Sequence, residues 1–131
     1  MSLQVFMYRL TNGKLGGDMG KFKVLILTTK GRKSGKTFSN PVGYFERDGG
    51  YIIVASNGGQ PTHPSWYHNI KGNPNDGSIQ VNDKKMKVKS EIILGEPRRP
   101  LYHWIVSIAS NFGDYEKKTT REIPLVFLTA Q

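Results

Sequence analysis

The spacing of hydrophobic and polar residues along the chain predicts about six β-strands and two or three helices. Apolar runs of strand length, several of them rich in β-branched residues, cover residues 23–29, 37–45, 51–56, 78–81, 86–94 and 123–128. Apolar residues recur at helical spacing in residues 3–10, 64–70 and 97–110. The apolar stripes of the first and last helices consist of Leu3, Phe6, Met7 and Leu10, and of Leu101, Trp104, Ile105 and Ile108.

The connections between the predicted strands indicate the fold class. Residues 47–50 read Arg-Asp-Gly-Gly, a strong hairpin turn, and residues 82–85 join a second hairpin. Because the strands come mostly as hairpins, an antiparallel barrel or α+β fold is favoured over a parallel nucleotide-binding sheet. We expect a single domain over residues 1–131, since this length fits one domain. No apolar run approaches the ~18–20 residues needed to cross a bilayer.

Positive charge is concentrated in the first third of the chain. Residues 1–47 contain nine basic and two acidic residues, and residues 48–131 contain ten and eight, so +7 of the net +9 lies before residue 48. Such a field attracts a phosphorylated cofactor, a nucleic acid or an acidic membrane surface, although a merely solubilising surface explains the charge equally well. The absence of cysteine excludes disulfides and thiolate chemistry and is compatible with the cytoplasm.

A basic loop follows the first predicted strand. Between two glycines it carries Arg32, Lys33 and Ser34, and Lys36 comes next. Its cations and hydroxyl suit a phosphate group, although a solvated turn would have the same composition. The loop is one residue shorter than a P-loop and precedes a strand, whereas a P-loop precedes a helix; we therefore exclude a nucleotide hydrolase.

A second loop, residues 56–59, consists of small residues and precedes the short helix that carries Trp66. Small residues let a flat ring approach the backbone, and Trp66 offers an aromatic wall, although a core tryptophan is the alternative. Ser56, Asn57 and Asn69 can exchange hydrogen bonds with such a ring. The three histidines lack metal-ligand spacing, and we expect no metal site. With no nucleophile motif or carboxylate pair either, an enzyme of this sequence would depend on a cofactor.

Taken together, these segments resemble the deazaflavin (coenzyme F-420)-dependent nitroreductase family, a branch of the flavin-reductase-like split barrels. The likeness lies in residues 7–9, 15–17, 27–35, 40–59, 64–69, 73–74, 114–115, 121 and 123–124. It implies a six-stranded antiparallel split β-barrel with flanking helices, of the FMN-binding split-barrel type. It also implies hydride transfer from reduced coenzyme F-420 to a conjugated acceptor resembling a quinone or a nitroaromatic.

The resemblance also implies a role for individual residues. It places the phosphate and oligoglutamate tail of the coenzyme against Arg32, Lys33, Ser34 and Lys36. It places the deazaflavin ring beside Pro41, Tyr44, Val54, Ser56, Asn57, Gly58, Trp66 and Asn69. The candidates that would position the acceptor are Tyr44, Ser56 and Tyr115. A tyrosine-rich patch of nitroreductases retains only Tyr115 here, so quinone-like acceptors fit as well as nitro compounds.

Two other functions stay open from the residues alone: an FMN-binding split-barrel reductase, and a non-catalytic basic module that binds nucleic acid. As partner we expect a small-molecule electron acceptor and no nucleic acid. Related barrels form dimers, which leaves a homodimer open. We expect a cytoplasmic protein whose N-terminal helix is cut short at Met1. That helix touches membranes in some relatives, so contact with the inner face of the membrane is also open.

Overall fold

The six-stranded antiparallel barrel predicted from the sequence is confirmed. The computed structural model describes residues 2–14 and 22–131. The elements are α1 (Leu3–Thr11), β1 (Lys23–Lys30), β2 (Thr37–Arg47), β3 (Gly50–Val54), α2 (Ser65–Gly72), β4 (Gly77–Val81), β5 (Lys84–Ile93), α3 (Gly95–Ile108), α4 (Asn111–Lys117) and β6 (Leu125–Ala130). The strands close in the order β1-β2-β3-β6-β5-β4. Every neighbouring pair is antiparallel, including the closing pair, in which Ile26 faces Gln80.

The barrel is filled by one set of alternating strand residues. Leu25 and Leu27 of β1, Ile53 of β3 and Val126 and Leu128 of β6 are at most 1% exposed. Helix α2 packs against β1 and adds Trp66, Tyr67 and Ile70 to this cluster. Because burial of one such aliphatic side chain is worth roughly 1.5–3 kcal/mol, this cluster holds α2 firmly against the barrel.

Helices α3 and α4 cover the outer face of β3 and β6 with a second apolar cluster. The Tyr102 hydroxyl of α3 donates to the Phe112 carbonyl of α4 at 2.7 Å. Arg98 donates to the Ile123 carbonyl at 2.5 Å and to Glu116 at 2.7 Å. These bonds join the two helices and the segment that precedes β6 into one layer.

The apolar stripe that predicts α1 is not its buried face. Val5 and Tyr8 are fully buried against Ile26, whereas Leu3 and Leu10 are 76% and 68% exposed. Burial of Tyr8 is favoured because its hydroxyl donates to the Gln80 carbonyl (3.2 Å) and accepts from the Asn82 N–H (2.7 Å). The helix therefore presents an apolar surface to solvent.

Two further differences concern the C-terminal half. Helix α4 is absent from the predicted elements, since its seven residues include Gly113 and bury only Phe112. In the predicted stripe of α3, Ile105 is fully buried but Ile108 is 42% exposed. Among the residues described, no helix is long and apolar enough to span a membrane. The glycine-containing block at residues 15–17 lies outside the described residues.

Candidate functional site

Two adjoining cavities beside α2 share the side chain of Trp66. The basic cavity, about 610 Å³, is lined by Arg9, Gly31, Arg32, Lys33, Ser34, Thr37, Phe38, Ser39, Asn40, Ser65, Trp66 and Asn69. The aromatic slot, about 280 Å³, is lined by Phe22, Pro41, Val42, Gly43, Val54, Ser56, Asn57, Gly58, Pro64, Trp66, Phe112 and Tyr115. Trp66 is only 8% exposed, and it belongs to the barrel core as well as lining both cavities.

The basic loop between β1 and β2 forms one wall of the basic cavity. The Gly31 N–H donates to the Lys36 carbonyl at 2.6 Å, and the Gly35 N–H donates to the Gly31 carbonyl at 3.0 Å. Gly35 has φ +73°, a conformation that other residues adopt at a cost. The Ser34 hydroxyl accepts from the Lys36 N–H at 3.2 Å. These bonds fix the loop, and the exposed Lys36 lies outside the cavity lining.

Asn69 anchors this loop from α2. It is 4% exposed, and its amide nitrogen donates to the Thr29 hydroxyl at 3.1 Å. Its amide oxygen accepts from the Arg32 N–H (3.2 Å) and from Arg32 Nη1 (3.0 Å). Both ends of the amide are therefore bonded within the protein. Asn69 positions the Arg32 guanidinium, which retains other N–H donors for an anion.

Arg9 is a cation of the basic cavity for which the sequence predicts no role. Its guanidinium donates to the Ser39 hydroxyl at 2.9 Å, and that hydroxyl lies 2.8 Å from the Thr28 hydroxyl. The bond holds the Arg9 side chain of α1 over β2. The cavity thus brings together Arg9, Arg32 and Lys33 from two distant parts of the chain.

Aromatic rings form one wall of the slot. The Phe112 ring centroid lies 5.2 Å from that of Phe22 and 5.6 Å from that of Tyr115, the latter pair edge to face. The Phe22 ring packs directly against Gly43 of β2, where a Cβ atom would overlap it. Most of the residues that the resemblance assigns to the ring meet in this slot: Pro41, Val54, Ser56, Asn57, Gly58 and Trp66, together with Tyr115.

The small-residue loop that lines the slot is packed against α4. Gly59 has φ +83°, and a Cβ atom there would lie 2.9 Å from the Tyr115 carbonyl oxygen and 3.0 Å from the Lys118 side chain. The Asn57 amide donates to the Thr62 carbonyl at 3.0 Å and so closes the loop on itself. Only glycine allows this approach, which sets the distance between the loop and Tyr115.

Arg121 holds the same loop from the other side, although the sequence predicts no role for it. It donates to the carbonyls of Ser56 (2.8 Å), Ala55 (3.3 Å) and Gln60 (3.0 Å). Its Nη1 lies 2.9 Å from Nδ1 of His63, a geometry that requires a neutral imidazole accepting the bond. Burial is the main cause that lowers the pKa of His63, and the neighbouring Arg121 lowers it further. The loop is thus bound at several carbonyls by one guanidinium.

The structure does not bring Tyr44 to the other predicted residues. Tyr44 is 6% exposed and belongs to the cluster inside the barrel, where its ring meets that of Tyr51 edge to face at 5.5 Å. It lines neither the basic cavity nor the aromatic slot. In the described part of the chain, no group of three or more metal-ligating side chains is close enough to hold an ion.

The closed six-stranded antiparallel barrel, with a basic cavity joined to an aromatic slot, has the fold of the split-barrel proteins. The sequence matches the profile of the F420H(2)-dependent quinone reductase family over residues 1–130, and the chain belongs to this family. It is therefore an oxidoreductase that uses coenzyme F-420. This confirms the resemblance predicted from the sequence.

Individual relatives agree with this assignment. The chain is 37% identical to an F420H(2)-dependent quinone reductase of Mycobacterium tuberculosis (strain ATCC 25618 / H37Rv) over 128 residues, which are 93% of this chain and 84% of the relative. It is similar to the solved structure of an F420-H2 dependent reductase (FDR-A), with TM-score 0.71 and 38% identity over 80% of this chain and 92% of the other. A structure described as a domain-swapped dimer has TM-score 0.74 and 34% identity over 95% and 94%.

Proposed function

We propose that this chain reduces quinones with reduced coenzyme F-420, and that the coenzyme lies across both cavities. The observation that carries the proposal is the shared wall at Trp66. A ligand with an anionic tail on one side of Trp66 and a flat ring on the other matches the two cavities in charge and shape. The donor set of this structure therefore fits the coenzyme.

The basic cavity would bind the acidic tail. Arg9, Arg32 and Lys33 supply three cations, and Ser34 adds a hydroxyl. A unit charge pair 4 Å apart is worth about 4 kcal/mol at an effective dielectric constant of 20, and less where salt screens it. Several carboxylates of an oligoglutamate tail use these cations more fully than the single phosphate of FMN. The proposal therefore favours coenzyme F-420 over FMN.

The aromatic slot would hold the ring and the quinone together. When bound, the reduced coenzyme supplies a hydride. The quinone accepts this hydride, which carries two electrons, together with one proton from water, and it leaves as the quinol. The chain contributes positioning, since reacting atoms must lie about 3–3.5 Å apart. We assign Ser56 and Tyr115 to the quinone oxygens because both line the slot and both carry a hydroxyl. Trp66 and Phe112 exclude water from the slot.

Titration with coenzyme F-420, followed by the quenching of its fluorescence, tests the binding step. We expect saturable binding that is tighter than that of FMN or single-stranded DNA. Arg32→Gln should weaken it about tenfold, which is ~1.4 kcal/mol. Arg99→Gln is the matched control, since Arg99 is a 75% exposed arginine of α3. Tight FMN binding or steeply salt-dependent DNA binding without F-420 binding would contradict the proposal.

Turnover is tested separately, by oxidation of the reduced coenzyme with menadione under anaerobic conditions. We expect one quinol per coenzyme oxidised. Coenzyme binding without any quinone reduction would restrict the proposal to the cofactor and refute the acceptor.

We further propose a homodimer, supported by the likeness to a structure described as a domain-swapped dimer. Light scattering should give twice the monomer mass of 14.7 kDa, and a monomeric mass throughout would refute it.

We also propose that α1 contacts an anionic membrane surface. Leu3, Phe6 and Leu10 form an exposed apolar face on this helix. The protein should sediment with vesicles containing anionic lipid, and Phe6→Ser should reduce the bound fraction. Equal sedimentation of both proteins would refute the contact.

A further inference from the structure

We infer that a second, apolar groove binds the hydrophobic side chain of the quinone, so that the enzyme prefers quinones with an apolar tail. The apolar groove, about 340 Å³, lies between the start of the barrel and the end of α3, and its uncharged lining residues are Phe22, Tyr44, Phe45, Trp104 and Ile108. The inference rests on the proposed quinone reduction and extends it to the part of the acceptor outside the slot.

The groove continues the aromatic slot. Phe22 lines both, so a ligand that leaves the slot over this ring enters the groove. The ring centroids of Phe112 and Phe22 are 5.2 Å apart, those of Phe22 and Phe45 6.2 Å, and those of Phe45 and Trp104 6.2 Å. An uninterrupted row of rings therefore leads from the reaction site to α3.

The surface of the groove suits an apolar chain. Ile108 is 42% exposed although it belongs to the apolar stripe of α3, and Trp104 is only partly buried. The fold thus leaves apolar surface here that a ligand could cover. Charged groups stand at its edge with opposite signs: Lys23 and Glu46 line it, and the Arg47 guanidinium lies 4.7 Å from the centroid of the Trp104 ring. Because these charges have opposite signs, they would add little to the binding free energy of either an anionic or a cationic ligand.

Continuity with the slot identifies the occupant. A quinone whose ring carries an isoprenoid side chain must place that chain somewhere next to the slot, and hydrophobic contact favours the apolar exit over Phe22. The other exit, over Trp66, leads into the basic cavity, which the coenzyme tail would fill. A second copy of the chain covering the groove is the competing occupant, and the experiment separates the two.

The test compares two quinones with the same head group: menadione, and a menaquinone with two isoprene units, in the same detergent. Ile108→Gln should raise the KM of the prenylated quinone about tenfold and leave kcat and the KM of menadione within about twofold. Leu94→Gln is the matched control, because Leu94 is an equally exposed apolar residue (43%) that lies outside the groove. It should change neither KM. Melting temperature and molecular mass are measured for each variant.

Equal changes for both quinones, or no change for either, would overturn the tail-binding groove while leaving quinone reduction intact. A changed molecular mass in Ile108→Gln would overturn it in favour of a subunit interface. If the unsubstituted protein reduces neither quinone, the proposed function itself has failed and the inference fails with it.

Discussion

Replacement of Arg121 tests whether the small-residue loop must be held for the coenzyme ring to bind. The guanidinium makes three hydrogen bonds to the carbonyls of Ala55, Ser56 and Gln60 and one to His63. Ser56 also lines the slot, so loss of these bonds frees the loop at the point where the ring would lie. Arg121→Gln should therefore weaken both the fold and the binding of the coenzyme.

The magnitude follows from the bonds. A hydrogen bond to a charged donor contributes about 1.5–3 kcal/mol when removal leaves a buried partner unsatisfied. Arg121 is only half-buried, so water can replace part of the loss, and the bonds are not additive. We expect a decrease of roughly 2–3 kcal/mol in the free energy of unfolding, or about 6–12 °C in Tm for a chain of this size.

The assay combines thermal unfolding with the fluorescence titration of coenzyme F-420. Arg121→Gln should lower Tm by this amount and raise the Kd about tenfold when binding is measured well below its Tm. Arg121→Lys keeps the charge but lacks the forked guanidinium, and should restore only part of both properties. Arg99→Gln, which removes one exposed ion pair, should change stability by less than about 0.5 kcal/mol. An Arg121→Gln protein that resembles Arg99→Gln in Tm and Kd would refute the reasoning.

Three other predictions follow from the same contacts. Burial lowers the pKa of His63 in the folded protein, whereas in the unfolded chain His63 has its ordinary pKa of 6.5. Below pH 6.5 the unfolded chain therefore binds a proton that the folded protein does not, and the free energy of unfolding decreases. Tm should fall as the pH drops below 6.5, and it should fall less in His63→Gln. A Tm profile identical in both proteins would refute this. Gly43→Ala should displace the Phe22 ring and lower the kcat for quinone reduction more than it raises the Kd of the coenzyme. A variant with wild-type kcat would show that quinone reduction does not need Phe22 in this position. Added salt should weaken coenzyme binding, and the Kd should depend less steeply on salt concentration in Lys33→Gln. The same salt dependence of Kd in both proteins would show that Lys33 does not bind the coenzyme tail.

The barrel could be predicted because its signals are local. Hairpin turns such as Asp48-Gly49 fix the connection between neighbouring strands, and short apolar runs mark the strands themselves. Part of the slot could be predicted for a related reason. Most of its residues come from three short segments, namely residues 41–43 of β2, the end of β3 with its loop, and the start of the helix that carries Trp66, and the resemblance is densest there.

The contacts that hold the site together could not be predicted, since they join residues far apart in sequence. Asn69 and Arg32 are separated by 37 residues, and Arg121 and Ser56 by 65. Phe22 has no signal of its own, because its position depends on the missing side chain of Gly43 across the strand pair. The buried face of α1 depends likewise on a hydroxyl partner for Tyr8 that only the closed barrel provides.

The position of Tyr44 on β2 distinguishes it from the other candidates for positioning the acceptor. Pro41, Val42 and Gly43 line the slot, but Tyr44, the next residue of the strand, does not. Tyr44 belongs to the cluster inside the barrel, and the cavity that it lines is the apolar groove. Ser56 and Tyr115, in contrast, line the slot itself. The positioning role that the resemblance shares among Tyr44, Ser56 and Tyr115 therefore belongs, in our proposal, to the two that line the slot.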